Sequence, residues 1–392
     1  MSYISIEYNN RWPTPESIEE VEVMSEREKK KGTSRSQLAL CLHFMACASR
    51  LESSNSSSSS LSRSHFKKTL VGAMIFSAKS TLKQLATMSQ GVGKGGEAEA
   101  QYLLGNCYGM GAFHWPVNHE AAFQWYTQAS KQDHPEATYR AAVCYELGIG
   151  TSKDGARAII FYRKAALLNN VASMYKLGII SMRGYCDQPI SKREAVTWLQ
   201  RAATTAVQPT ITSNPGRAKS LPHALHALAI IQLTGECKET SLISDTDYAI
   251  GLLQEAARLG YAPSQSKLGE CYECGIFCEM DETQSLYWYT QAAKQDYPEA
   301  TLALSGWYLT GSLKTNVLLQ SDQEAYLWAR RAATLVQTHP SASSLKGKVY
   351  FTIGVYYQNG IGVKKSNPNA FKWFKRAACA GHLGAFKILS SM

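Results

Sequence analysis

Long apolar runs are absent from this chain of 392 residues. The two longest candidates, QLALCLHFMACA at 37–48 and TLVGAMIFSA at 69–78, fall short of the roughly 18 residues that a transmembrane helix needs. No apolar signal peptide opens the chain, and its 10 cysteines are too few and too irregularly spaced for a disulfide scaffold. These absences predict a cytoplasmic protein without a transmembrane helix, in a reducing compartment.

Motifs of catalysis and cofactor binding are also missing. No G-x-S-x-G or HExxH motif is present, and the sequence shows no convincing pairing of a nucleophile with a base. The segment GVGKGG at 91–96 satisfies G-x-G-x-x-G, but a helical pattern precedes it and Gly95 stands where a Walker loop needs Ser or Thr. A flexible linker is the better interpretation. We therefore predict no enzyme activity, no cofactor and no small-molecule substrate.

Three cysteines have a spacing that zinc sites use. Cys271, Cys274 and Cys278 form C-x-x-C-x-x-x-C, yet no fourth ligand is evident. Cys271 also occupies a repeat position that Cys107 and Cys144 fill elsewhere, which favours a small core residue over a metal ligand. Aromatic residues that alternate with basic ones fall at core positions too, so we predict neither a bound metal nor nucleic-acid binding.

Acidic residues are nearly absent from residues 29–96, which hold eleven Lys or Arg and a single acid, Glu52. The net charge of this segment equals the +10 of the whole chain, because residues 1–28 are net acidic and residues 97–392 are only mildly basic. A basic stretch attracts anionic membrane surfaces. A solvated tail without a dedicated partner is an equally good interpretation.

Residues 1–80 are predicted to be largely disordered, because the serine run at 53–60 and its polar surroundings bury little apolar area. The most plausible helix there spans about 66–88. Its residues Leu82, Leu85 and Ala86 resemble the second helix of an incomplete repeat. We assign 81–96 to this partial helix and a glycine-rich linker.

From residue 97 onward one pattern returns seven times. It has a small residue, five further residues and then an anchor glycine, and most copies place tyrosine three residues before that glycine. A left-handed helix cap, which glycine adopts at little cost, explains the recurrence. The anchors are Gly111, Gly148, Gly184, Gly235, Gly275, Gly311 and Gly360.

A second pattern follows each anchor after a variable loop. It reads small-x-x-aromatic-x-x-x-Ala, a spacing that places all three positions on one helical face. Its aromatic position is filled mostly by tryptophan, predicted to occupy the space between neighbouring helix pairs. These tryptophans are Trp125, Trp198, Trp288, Trp328 and Trp373.

Each copy is thus predicted to be a helical hairpin whose small residues let two backbones approach closely. Because one hairpin cannot bury both faces, neighbours must stack. We predict an all-α fold, a right-handed α–α superhelix (solenoid) of about seven hairpins over 97–390. The loops carry insertions at 206–222 and about 335–348. The predicted repeats are 97–133, 134–169, 170–206, 221–260, 261–296, 297–335 and 346–380, with a half-repeat cap at 381–392.

The motif LG.CY..G followed by A..WY..AA resembles the Sel-one-like repeat, a relative of the tetratricopeptide repeat. Stretches such as EATLALSGWYLTGS at 299–312 and QSDQEAYLWARRAA at 320–333 resemble the fungal regulatory subunits of chitin synthase. That family implies a non-enzymatic adaptor that binds, activates and localises a membrane-embedded chitin synthase at sites of septum and cell-wall growth. Some members end in a prenylated cysteine motif. This sequence ends in LSSM, so no lipid anchor is expected.

Two alternatives stay open at this point. The first is a generic Sel-one-like scaffold in protein quality control or signalling. The second is the role of a stripe on the first helices. Aromatic side chains recur there nine residues before the anchor glycines, and basic side chains recur eight residues before them. These are Tyr102, Tyr139 and Tyr175, with Arg140, Lys176 and Lys267. They suit an extended acidic peptide in the concave groove, or they simply pack between hairpins.

The repeat hypothesis predicts that Trp288→Ala destabilises the protein, because truncating a large core side chain costs about 3–5 kcal/mol. Chemical denaturation of parent and variant measures this difference. A variant that unfolds at the same denaturant concentration as the parent would contradict the placement of Trp288.

Overall fold

Every regular element is helical in the residues that the computed structural model describes, which are 12–53, 61–87, 96–207, 215–235, 245–312, 315–338 and 340–391. Eighteen α-helices and no strand occur in these ranges, so the all-α prediction is confirmed. In chain order the helices are α1 Ile18–Lys31, α2 Ser34–Ser53, α3 Leu61–Thr87, α4 Ala98–Met110, α5 His119–Lys131, α6 Pro135–Leu147, α7 Gly155–Leu167, α8 Val171–Arg183, α9 Lys192–Val207, α10 Pro215–Leu233, α11 Thr246–Arg258, α12 Ala262–Cys274, α13 Glu282–Lys294, α14 Pro298–Thr310, α15 Asp322–Thr338, α16 Lys346–Asn359, α17 Asn367–Cys379 and α18 Leu383–Ser391.

The helices fall into two compact units, Met1–Ser220 and Leu221–Met392, and the boundary lies within α10. In the first unit α4 pairs with α5, α6 with α7, and α8 with α9. In the second unit α12 pairs with α13, α14 with α15, and α16 with α17. Within each unit, successive hairpins also pack against each other, as α5 does on α6 and α13 on α14.

A very close contact joins the two helices of a hairpin. A Cβ atom added to Gly269 on α12 would lie 2.7 Å from Cδ1 of Tyr289 on α13, and one added to Gly354 would lie 2.6 Å from Cδ1 of Phe374. Glycine is therefore required for the second helix to lie this near. The buried side chain that meets it comes one residue after the aromatic position of the sequence pattern. The residues at this buried position are Tyr126, Tyr162, Leu199, Leu253, Tyr289, Ala329 and Phe374.

The aromatic position itself is less buried than the residue that follows it. Trp373 is buried, whereas Trp125, Trp198, Trp288 and Trp328 are half-buried. Trp328 packs against the core of the preceding hairpin, and its ring also stacks on that of Tyr308, 6.3 Å away between centroids. Half-burial of Trp288 places the expected cost of its truncation at the lower end of the predicted range.

The anchor glycines end the first helices. Gly111, Gly148, Gly184, Gly275 and Gly360 are left-handed C-caps, and Gly235 also has a positive φ. Gly311 differs, because its φ of 70° is combined with a ψ of 172°. After the loop, the backbone N–H of the residue that caps the second helix donates to the carbonyl oxygen three residues before the anchor. This bond joins Asn118 to Tyr108 and Asp281 to Tyr272, both at 3.0 Å.

The amino-terminal region differs from the disorder expected over 1–80. Residues 12–53 and 61–80 hold α1, α2 and most of α3, while 1–11 and 54–60 lie outside the described residues. Helices α2 and α3 pack against each other as the helices of a repeat do, and α3 packs on α4. Phe44, Met74 and Leu82 are buried in the shared core. The two apolar runs cover one another, and this pairing supplies the burial that the serine-rich composition seemed to lack.

Two predicted loops are also more regular than expected. The insertion at 206–222 contains the end of α9 and the start of α10, and 208–214 lie outside the described residues. The insertion at 335–348 consists of the end of α15, a 3-10 segment at Pro340–Leu345 and the start of α16. At the carboxyl end, α18 packs on α17 and buries Ala385.

The hairpin contact predicts opposite effects for two glycine substitutions in the second unit. Gly269→Ala forces a methyl group against the Tyr289 ring, and such overpacking costs about 1–3 kcal/mol. Gly306 on α14 is exposed with no atom near its added Cβ, so Gly306→Ala stabilises its helix by about 0.5–1 kcal/mol. Urea unfolding of both variants checks this. Equal changes of the same sign would contradict the close approach.

Candidate functional site

The aromatic and basic stripe predicted from the sequence is distributed over both units. Tyr102 lies on α4, Tyr139 and Arg140 lie on α6, and Tyr175 and Lys176 lie on α8, all in the first unit. All five side chains are half-buried. Lys267 lies on α12 in the second unit and is described separately below.

Arg140 lies among tyrosine rings. Burial by itself would lower the pKa of Arg140, but the hydroxyls of Tyr102, Tyr126 and Tyr139 raise it. Its Nε atom is buried without a hydrogen-bond partner. The Tyr126 hydroxyl donates to Oδ1 of Asn106 at 2.8 Å. Arg140 therefore brings a positive charge and an unsatisfied donor to the space between α4 and α6.

Tyr102 packs between His134 and Tyr126. Its ring stacks on the imidazole of His134 with centroids 4.9 Å apart and lies 6.3 Å from the Tyr126 ring. His134 Nε2 in turn lies 2.7 Å from Oε2 of Glu99. Glu136 lies on the same helix as Arg140, and burial raises the pKa of its carboxyl group. Aromatic, cationic and acidic groups thus share one face of α4 and α6.

Lys176 is held by an acid within the chain. Its Nζ lies 2.9 Å from Oε1 of Glu146, and the Tyr162 hydroxyl donates to the other oxygen of that carboxylate. Burial by itself would lower the pKa of Lys176, but its bonds to Glu146 and Tyr185 raise it. Because Glu146 already neutralises Lys176, this lysine has less charge to offer a partner than the sequence stripe suggested.

Tyr139 connects the two groups. Its ring lies 5.9 Å from that of Tyr162, and Arg140 and Lys176 both act electrostatically on its hydroxyl. Tyr175 directly precedes Lys176 on α8; burial raises the pKa of its hydroxyl, and Arg183 and Lys176 oppose that shift. The structure therefore brings Tyr102, Tyr139 and Arg140 together with Lys176.

Sequence reasoning did not identify Glu146 or Tyr162. Tyr162 directly follows Phe161, the residue at the aromatic position of the repeat pattern. Residues at position 162 and its equivalents are the more buried ones in the hairpins, so a Tyr there can point its hydroxyl only at a neighbouring first helix. The pairing with Glu146 follows from that packing and not from sequence spacing.

In the second unit the equivalent positions have different surroundings. Lys267 Nζ donates to Oε2 of Glu270 on its own helix at 2.7 Å. His226 on α10 stands nine residues before its anchor, as the stripe tyrosines do. Its Nδ1 lies 2.9 Å from the Ser264 hydroxyl, and its ring lies 5.2 Å from that of Tyr261. Burial, with smaller contributions from His223 and Lys267, lowers the pKa of His226 to about 4.

The three cysteines with zinc-like spacing differ in burial. Cys271 is buried, Cys278 is half-buried and Cys274 is exposed. Within the described ranges, no three His, Cys, Asp or Glu side chains come together in an arrangement that could hold a metal ion. The glycine-rich segment at 91–96 lies outside the described residues except for Gly96.

The basic segment 29–96 is largely helical in its described part, at 34–53 and 61–87. The Nζ atoms of Lys79 and Lys83 lie 5.4 Å and 5.1 Å from the centre of the Trp115 ring, and Lys79 also donates to the carbonyl oxygen of His114. These two lysines are therefore engaged within the chain. In the part of the chain that the structure describes, no helix combines the length and apolar character that crossing a bilayer requires.

Stacked helical hairpins, in which a small residue of the first helix packs against a ring of the second, define a helical repeat protein. The Sel1 repeat model matches residues 98–134, 135–170, 171–204, 222–261, 262–297, 298–335 and 350–382. The chain belongs to the Sel1 repeat family, in the group that includes the fungal chitin synthase regulators. The resemblance inferred from the sequence is thereby confirmed.

Two curated relatives carry that assignment. Chitin synthase regulatory factor 3 of Schizosaccharomyces pombe is 34% identical over 294 residues, which are 74% of this chain and 29% of the relative. Chitin synthase regulator SKT5 of Saccharomyces cerevisiae is 34% identical over 305 residues, which are 77% of this chain and 39% of the relative. The chain thus spans well under half the length of these relatives.

Among solved structures, a Sel1 repeat protein from Oxalobacter formigenes shares the fold. It superposes with a TM-score of 0.55 at 20% sequence identity, covering 97% of this chain and 94% of that protein. At this level of identity the likeness concerns the fold alone.

His226 generates a pH prediction. Its pKa is lower in the folded chain than in the unfolded chain, so the unfolded state binds more protons between pH 6.5 and about 4, and stability falls as the pH drops through that window. Between pH 7 and pH 5 the parent should lose about 1–2 kcal/mol more than His226→Gln, whose amide can still bond Ser264 but does not titrate. Urea unfolding at both pH values measures this. Parallel losses in parent and variant would refute the assignment.

Proposed function

We propose that the chain is a non-enzymatic regulatory subunit that binds a chitin synthase and activates or localises it during cell-wall and septum formation. The observation that carries the proposal is the 34% identity, over 294 residues, to a protein named chitin synthase regulatory factor 3. A synthase embedded in the plasma membrane would hold the chain peripherally at that membrane or at the septum.

Binding, as opposed to chemistry, is what the side chains favour. The polar groups of the first helices are engaged within the chain, as Glu146 is with Tyr162 of the second helix α7 and Glu99 is with His134. Neighbouring helices hold them in place, which suits recognition of a complementary protein surface. A rigid repeat scaffold with ordered surface groups is typical of adaptors.

We place the contact on the first-helix face of the first unit, at Tyr102, Tyr139 and Arg140. Aromatic rings supply rigid apolar area, and a guanidinium among them recognises a partner carboxylate. Arg140 differs from Lys176 because no carboxylate lies within ion-pair distance of it among the described residues, although Glu136 on the same helix acts on it electrostatically. Tyr175 and Lys176 on α8 would extend this contact within the first unit. Lys267 of the second unit is a separate candidate for partner binding.

The test is co-purification of the tagged chain with chitin synthase from solubilised membranes, with synthase activity measured in the presence and absence of the chain. The parent should associate and raise activity. Arg140→Gln should weaken association about tenfold or more, since it removes a charge from a partly desolvated contact. Arg163→Gln is the matched control. Arg163 is an exposed residue of α7 that pairs with Glu194 of α9, and both helices are second helices, away from the proposed face.

The outcomes separate two conclusions. A parent chain that neither associates nor changes activity refutes the regulatory function itself. A parent that associates as strongly as Arg140→Gln leaves the function standing and refutes the assigned face.

A further inference from the structure

A cysteine, a histidine and an arginine form a compact cluster in α2, outside the candidate binding face. His43, Cys47 and Arg50 follow each other at spacings of four and three residues, which places them on one face of the helix. Cys47 Sγ lies 3.5 Å from His43 Nε2, and Arg50 Nη2 donates to the same sulfur at 3.3 Å. Two nitrogen groups that can both carry positive charge thus converge on one thiol.

The cluster is covered by the segment that precedes α1. The carbonyl oxygen of Pro13 lies 3.1 Å from His43 Nε2, and the Trp12 ring lies 6.0 Å from the imidazole. His43 and Cys47 are each 1% exposed, whereas Arg50 and Pro13 are exposed. The other imidazole nitrogen, Nδ1, is buried without a hydrogen-bond partner. The covering segment contains no helix between residues 12 and 17, so its contact with His43 is made by an extended stretch of chain.

A buried cysteine is most often a small apolar side chain, and the other core cysteines of this chain fit that description. Burial raises the pKa of Cys107, Cys144 and Cys271 to about 11. Burial also acts to raise the pKa of Cys47, but the hydrogen bond and charge of His43, together with Arg50, outweigh it and leave the pKa lowered. The hydrogen bond to Cys47 likewise raises the pKa of His43 against the effect of burial.

The position of Arg50 is the second argument. A guanidinium gains little from a neutral thiol, which is a weak acceptor, and much from a thiolate, with which it forms a charge-assisted bond. Arg50 has solvent available on its exposed side, yet its Nη2 contacts the sulfur. A thiolate between an imidazolium and a guanidinium accounts for this geometry.

We propose that Cys47 is a redox modification site, a thiolate paired with His43 and Arg50 that reacts with hydroperoxides. The thiolate sulfur attacks one peroxide oxygen, the O–O bond breaks, and a sulfenic acid forms at Cys47. The sulfur loses two electrons and the peroxide gains them. The imidazolium of His43 gives its proton to the leaving hydroxide, which departs as water.

Oxidation would act on the covering segment. A sulfenic acid is neutral and larger than a thiolate, so it loses the charge pairing with His43 and Arg50 and crowds the contact between His43 and Pro13. This site is independent of the proposed regulation of chitin synthase and holds or fails on its own test.

The experiment treats the native full-length chain with hydrogen peroxide, stops the reaction with catalase and then unfolds the protein in dimedone, which captures sulfenic acids. Cys41 is the internal reference, because it is buried on the same helix and its pKa is raised by burial. Both cysteines lie between Arg35 and Arg50, so fragmentation of one tryptic peptide compares them directly. Cys47 should oxidise about tenfold faster than Cys41 or more.

Variants test the role of the neighbours. Arg50→Gln should slow oxidation of Cys47 by about threefold or more, since it removes a positive charge from the thiolate. Arg35→Gln, an exposed arginine of the same helix, should leave the rate unchanged. His43→Asn should slow it as well, with circular dichroism showing whether α2 and the fold persist. Equal rates at Cys47 and Cys41 in the parent, or an Arg50→Gln rate equal to that of the parent, would overturn the proposal.

Discussion

The contact between a small residue on one helix and a buried side chain on the next governs the hairpins of this protein. Where Gly269 meets Tyr289, or Gly354 meets Phe374, no room is left for even a methyl group. Because the two helices lie so close, the end of the first is near the start of the second. The loop after the anchor glycine then closes with an equivalent hydrogen bond in different hairpins, from Asn118 to Tyr108 and from Asp281 to Tyr272. Stacking then follows, because each hairpin still has an apolar face to cover.

This packing also determines what is left for recognition. Tyrosines at the buried position direct their hydroxyls to acids or amides of the first helices, as Tyr126 does to Asn106 and Tyr289 does to Glu273. The face of the first helices is therefore organised by side chains from the second helices. Lys176 is part of this internal order through Glu146, whereas Arg140 keeps a donor without a partner. On the binding face proposed above, one unsatisfied donor on Arg140 suits a single partner carboxylate better than a diffuse acidic surface.

The amino-terminal helices α2 and α3 pack in the same way as a repeat hairpin. Helices α2 and α3 pack as a hairpin ahead of the first matched repeat, and the backbone N–H of Glu97 donates to the carbonyl oxygen of Leu85 at 2.9 Å. An equivalent turn between later hairpins joins His134 to Ala129 at 3.2 Å. The first repeat is thus covered by a hairpin that lacks the repeat motif, and the Cys47 cluster lies in that hairpin.

The repeat and the helical hairpin followed from the sequence by itself, because glycine, alanine and tryptophan recur at spacings that only paired helices explain. The stripe of Tyr102, Tyr139 and Arg140 was also visible there, since repeat register places residues of equal offset on equivalent faces. Tertiary structure alone decided that Glu146 neutralises Lys176, that the serine-rich region contains packed helices, and that Pro13 covers the cluster of His43, Cys47 and Arg50 on α2. Those outcomes depend on contacts between residues that no local period relates, and on burial that one segment supplies to another only after both have folded.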